Sequence, residues 1–128
     1  MTLFIQDAKS VSLKDVAVAA GDTFTDAITL HGKHDRLSVE LENEGGGAAL
    51  DKFHLQAQAA PGAAFYTLVS SYAATSDFML NASTDPNALA AGSKSNIIYG
   101  SLRGVYAIRW LASGSGGAAT INVLGLAA

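Results

Sequence analysis

Apolar and polar side chains alternate with a period of two along most of this 128-residue chain, the pattern of strands that bury one face. Val11 and Leu13, then Val16 and Val18, bracket Lys14-Asp15, which predicts a strand with a local irregularity or two short strands. Gly21-Asp22 is a turn signal, after which Phe24, Asp26, Ile28 and Leu30 alternate in FTDAITL. Between 36 and 43, Leu37, Val39 and Leu41 share one face while Ser38, Glu40 and Glu42 share the other. Gly45-Gly46-Gly47 ends that run, because three glycines do not hold an ordered ladder. In LDKFHLQAQA (50–59), Phe53, Leu55, Ala57 and Ala59 alternate with Lys52, His54, Gln56 and Gln58. The two runs are expected to pair across the glycine loop, with Pro61-Gly62 closing the second.

The last third repeats this arrangement. GVYAIRWL (104–111) and TINVLG (120–125) flank SGSGG, which predicts a terminal β-hairpin. Tyr106, Ile108 and Trp110 fall on one face of the first run, and Val105, Ala107, Arg109 and Leu111 on the other. Both faces are largely apolar, so a central or doubly covered strand is expected there. Burying Trp110 and Ile108 contributes about 1.5–3 kcal/mol each. Residues 62–94 differ. Phe65, Tyr66, Leu68, Val69, Tyr72, Phe78, Met79 and Leu80 follow no sustained period. Asp85-Pro86-Asn87 reads as a turn, NALAA (87–91) as a single helical turn, and SNIIY (95–99) resumes strand character. The expected fold is all-β: a single-domain sandwich or jelly-roll-like barrel of about seven or eight mainly antiparallel strands. It would carry an N-terminal arm over 1–8 and a long irregular insertion over 62–94.

Composition narrows the function. Only 15% of residues are charged against an average of about 25%, and small residues are abundant, as in proteins packed against copies or partners. The net charge is −3 and the basic residues are scattered, which argues against direct nucleic-acid binding. The densest basic run, His31-Gly-Lys33-His34-Asp-Arg36, is broken by an acid and fits a solvated loop. With no cysteine there are no disulfides or thiolate chemistry. No run reaches the ~20 apolar residues of a membrane span, and MTLFIQDAKS lacks a signal peptide's basic region, so cytoplasmic synthesis is expected.

Candidate chemistry is sparse. His31, His34 and His54 are the only imidazoles, but HGKH sits in a turn that does not aim two rings at one point, and His54 alternates onto a polar face. Glu40, Glu42 and Glu44 supply neighbouring carboxylates, but at the outward positions where a solvated strand face carries its charges. No G-x-S-x-G elbow occurs, and SGSGG precedes a strand rather than the helix a phosphate loop requires. No catalytic residue, metal ligand or cofactor is expected. The sequon Asn81-Ala82-Ser83 carries little weight without a secretory signal.

VYAIRWLA, SGSGG and TINVLG at the C-terminal end, with RLSVELEN and LDKFHLQAQA before them, resemble in layout the small β-rich virion proteins of tailed bacteriophages. Among these are capsid decoration, or cement, proteins and related head and tail accessory proteins. The resemblance implies a non-enzymatic structural protein located in the virion, homo-oligomeric and bound to the major capsid protein or a neighbouring head or tail protein. Aromatic and methionine side chains are enriched at such contacts, which makes Leu3, Phe4, Ile5, Phe65, Tyr66, Leu68, Tyr72, Phe78 and Met79 the candidate interface. The alternative is a carbohydrate-binding sandwich of a fibre or host-recognition device, with Trp110, Tyr106, Tyr66 or Tyr72 as sugar platforms.

Overall fold

The computed structural model describes residues 8–72, 78–80 (backbone only) and 85–128, and within them the alternating runs form two antiparallel sheets packed as a sandwich. The strands are β1 (Lys9–Ser10), β2 (Leu13–Val18), β3 (Thr23–Phe24), β4 (Ile28–Thr29), β5 (Arg36–Asn43) and β6 (Leu50–Gln58). They continue with β7 (Phe65–Val69), β8 (Phe78–Leu80), β9 (Lys94–Ser101), β10 (Ala107–Gly114) and β11 (Ala119–Ala127). The first sheet runs β1-β11-β5-β9-β8, with β2 continuing the edge that β1 begins along β11. The second runs β3-β10-β6-β7, with β4 sharing the β10 edge with β3.

The all-β sandwich agrees with the alternation, but three expected connections differ. The 104–125 region is not a hairpin: β10 lies in the second sheet and β11 in the first. The runs at 36–43 and 50–58 likewise do not pair, since β5 lies between β11 and β9 while β6 lies between β10 and β7. Both glycine loops arch across the sandwich. Apolar faces that would stand side by side in a hairpin instead face each other through the core. The expected irregular insertion over 62–94 differs in its described residues, where β7 extends the second sheet and β8 the first. Its helical element is a 3₁₀ turn at Pro86–Ala88, capped by the Asp85 side chain accepting from the Asn87 N–H.

The core follows the inward positions. Leu37, Val39 and Leu41 of β5 and Ile121 and Val123 of β11 meet Phe53, Leu55, Ile108 and Trp110 from the opposite sheet. Trp110 stacks on Phe53 with ring centroids 4.2 Å apart and planes 10° from parallel. β10 is central in its sheet, as its apolar faces predict. FTDAITL is not one continuous strand, and Phe24 points outward while Leu30 is buried.

At several ladder breaks a polar side chain replaces the missing backbone partner. Between β3 and β4, Thr25 Oγ1 accepts from the Trp110 N–H at 2.9 Å while the Thr25 N–H donates to the Trp110 carbonyl. Between β1 and β2, Ser12 Oγ accepts from the Gly125 N–H. At the β5/β9 register shift, Ser95 Oγ accepts from the Leu41 N–H. At the β2/β11 bulge, Asn122 Oδ1 accepts from the N–H of Asp15, a residue with φ of 53°. The β6–β7 register ends at Leu55↔Val69. Beyond it, Asn87 Oδ1 accepts from the Phe53 N–H and the Tyr72 hydroxyl donates to the Phe53 carbonyl. A buried amide without a partner is costly, so these side chains are part of the sheets.

Thr25→Val keeps the shape and strands the buried Trp110 N–H, with an expected loss of about 1–3 kcal/mol by urea unfolding. Gly125→Ala is expected to lose about 1–3 kcal/mol, because a Cβ there meets the Ser38 carbonyl and the Val39 side chain of β5. An unchanged urea midpoint for either variant would contradict these roles.

Candidate functional site

The polar candidates are separated by the fold. His31 lies in a turn with φ of 57°, its ring edge-on to Tyr106 at 5.6 Å, and His34 is buried nearby. With Lys9 and Lys33 they line a depression of about 580 Å³ on the rim of the sandwich. His54 stands apart on the outer face of β6, where burial, followed by the Lys52 charge, lowers its pKa below the ordinary 6.5. Among the described residues, no group of three or more His, Asp and Glu side chains is arranged to hold a metal ion.

The carboxylates line the outer face of the first sheet. Glu40 and Glu42 project from β5, with Lys94 Nζ at 3.7 and 3.9 Å from their oxygens. Asn122 Nδ2 donates to Glu42 at 2.8 Å and to Glu44 at 3.1 Å. The neighbouring Asp15 carboxylate, with a lesser contribution from partial desolvation, raises the Glu44 pKa above its ordinary value.

The large exposed apolar side chains collect on the outer surface of the first sheet. On the second, Phe24 stands on the outer surface, and Tyr66 and Leu68 are exposed on the edge strand β7, Tyr66 at the core-side register position opposite Ala57. On the first, the register places Leu124, Glu40 and Ile97 in one cross-strand row and Leu126, Ser38 and Tyr99 in the next. Leu124, Leu126, Ile97 and Tyr99 are all exposed, Leu126 by 53%. Glu40 is thus a carboxylate in an aliphatic frame.

The second sheet carries the converse. Arg109 projects from the outer face of β10 beside Gln56 of β6, and its Nε donates to Gln56 Oε1 at 2.8 Å. Phe24 lies opposite Leu111 on β3, and Phe65 lies opposite Gln58 on β7, so the two rings straddle the arginine. The guanidinium carbon sits 4.0 Å from the Phe24 centroid and 4.3 Å from that of Phe65. Each such cation–π contact is worth about 0.5–1 kcal/mol at an exposed site. No carboxylate of the described residues pairs with Arg109.

Of the interface candidates, Phe65, Tyr66 and Leu68 do lie on an accessible strand, with Tyr66 74% exposed. Tyr72 is buried at 5% and belongs to the core, where it supports Phe53. Leu3, Phe4 and Ile5, and the side chains of Phe78 and Met79, lie outside the described residues. Of the sugar-platform candidates, Trp110 is fully buried and Tyr72 nearly so, because both rings fill the sandwich core. Sequence reasoning missed Phe24, Ile97, Tyr99, Leu124 and Leu126. The available signal was in β11, where apolar residues occupy outward as well as inward positions.

No family model matches the chain, and no curated protein matches it in sequence. Among solved structures, it is similar to the crystal structure of SPBc2 prophage-derived protein YomS, with a TM-score of 0.55. That similarity spans 98% of this chain and 99% of that one at 10% sequence identity, and is a likeness of fold.

His54 titration gives a pH signature. Its folded-state pKa is lowered, so the folded state binds fewer protons than the unfolded chain in the window below 6.5. The His54 contribution to stability is present above that pH and lost as the pH falls through the folded-state pKa. Melting temperatures of His54→Gln are expected to drop less across that window than those of the parent; identical profiles would contradict this.

Proposed function

We propose that this chain is a non-enzymatic structural protein of a bacteriophage particle, working through protein–protein contacts, with capsid decoration as its specific role. Its partners in this reading are the major capsid protein or a neighbouring head or tail protein, and its place is the virion. The observation that carries the reading is the end-to-end fold likeness to a prophage-derived protein in a chain that exposes apolar side chains in rows on the first sheet's outer face and along the β7 edge of the second. Monomeric proteins rarely expose large contiguous apolar patches, and rows of Leu, Ile, Tyr and Phe around a single charge suit protein docking. Low overall charge fits the same use.

A carbohydrate-binding role is the second reading, favoured by the 74% exposure of Tyr66. With Trp110 in the core, sugar binding would rest on Tyr66, Tyr99 or Tyr106, and titration with glycans should perturb tyrosine rather than tryptophan emission.

The particle role is tested by mixing the purified chain with emptied heads, and separately with tails, of a tailed phage that encodes it, then pelleting through a sucrose cushion. Saturable co-sedimentation with one component is expected. A chain left in the supernatant by every component would overturn the reading.

A further inference from the structure

Arg109 on the outer face of the second sheet and Glu40 on that of the first are oppositely charged, each flanked by apolar side chains, and the two faces point in opposite directions. On the second sheet, Phe24 and Phe65 cover both planes of the Arg109 guanidinium, and Gln56 takes its Nε. What remains for a partner is the outer edge of the guanidinium, the edge that forms paired hydrogen bonds with a carboxylate. Flanking rings exclude water there and strengthen such a bond. On the first sheet, Glu40 stands between Leu124 and Ile97, with Lys94 no closer than 3.7 Å and itself shared with Glu42.

We propose that the Arg109 face of one copy docks on the Glu40 face of a second copy, so that the chain assembles head to tail. This rests on the particle reading and deepens it by naming one partner as the chain itself. A two-fold contact with either charged residue at its axis would set Arg109 against Arg109, or Glu40 against Glu40, and like charges in an apolar frame repel. Joining unlike faces avoids this. Because each copy keeps one free face of each kind, such a contact propagates: it gives a ring if the rotation between copies closes and a filament if it does not. The apolar frames supply the buried area, while the Arg109–Glu40 pair sets the register and excludes the wrong face.

The test is sedimentation velocity of the purified chain over a concentration series, with the variants Arg109→Glu and Glu40→Arg measured alone and mixed. The parent is expected to associate beyond a dimer, and each variant alone to associate at least about tenfold more weakly. An equimolar mixture is expected to recover association, because one junction in it is native and the other has its charges exchanged. Far-ultraviolet circular dichroism and melting confirm that each variant is folded. Glu40→Arg, on an open strand face, carries the test if Arg109→Glu does not fold. In that case its loss of association supports the docking, and association equal to the parent's overturns it. A parent that remains monomeric at millimolar concentration, variants that associate like the parent, or a mixture that fails to recover would each overturn the proposal. Failure here with intact co-sedimentation leaves the particle role standing; loss of co-sedimentation with intact self-association removes that role instead.

Discussion

The sandwich depends on two glycine-rich arches that nest against each other at one end. The loop after β5 and the loop after β10 each carry the chain from one sheet to the other, a gap of about 10 Å between packed sheets. They run so close that the Ala48 N–H donates to the Ala118 carbonyl, the Ser115 N–H to the Ala49 carbonyl and the Glu44 N–H to the Thr120 carbonyl. A Cβ at Gly47 would stand 2.9 Å from the Ala118 oxygen, so only glycine permits the approach. Asn43, fully buried, ties the same end together by donating from Nδ2 to the Ala48 and Leu89 carbonyls. Because both arches cross the core, β5 does not stand beside β6, nor β10 beside β11. β5 must find β9 and β11, and β6 must find β10. Such long-range pairing is slow to form and is rewarded only when the whole core closes.

Crossing so often leaves the ladders interrupted, and the Ser, Thr and Asn content of the chain answers that need. Thr25, Ser12, Ser95 and Asn122 each accept a backbone N–H at a break, and Asn87 with Tyr72 serves Phe53 where β7 departs. The breaks have a second consequence. Two sheet edges are divided into short segments, β1 with β2 and β3 with β4, and broken edges are poor templates for strand addition.

This explains which parts of the fold are legible in the sequence. The alternation of Leu37, Val39 and Leu41 against Ser38, Glu40 and Glu42 reports burial of one strand face, and that is local physics. The apolar character of both faces around Trp110 reports a central strand for the same reason. Pairing is not local: a Gly-Gly-Gly or SGSGG loop suits an arch as well as a hairpin, and only contacts such as Gly47 against Ala118 distinguish them. Phe65 to Val69 escapes the period rule because its strand carries a register shift against β6 and Tyr66 and Leu68 remain exposed on it. Among the candidate interface residues, Phe65, Tyr66 and Leu68, singled out by apolar character alone, fall on an accessible strand. The same criterion misplaced Tyr72, whose hydroxyl finds a buried carbonyl that no spacing rule foresees.

The distribution of charge follows from the same geometry. A thin sandwich has two broad faces and little else, so a chain that docks through both has few positions left for solvating charge. At Arg109 the protein covers a cation with rings, and at Glu40 it sets an anion among aliphatic side chains. Phe24 and Phe65 reach Arg109 from strands on opposite sides of β10 and β6, so the clamp exists only once the second sheet has formed. The Leu124–Glu40–Ile97 row likewise spans three strands of the first. Each cluster is therefore a product of sheet assembly rather than of any contiguous motif.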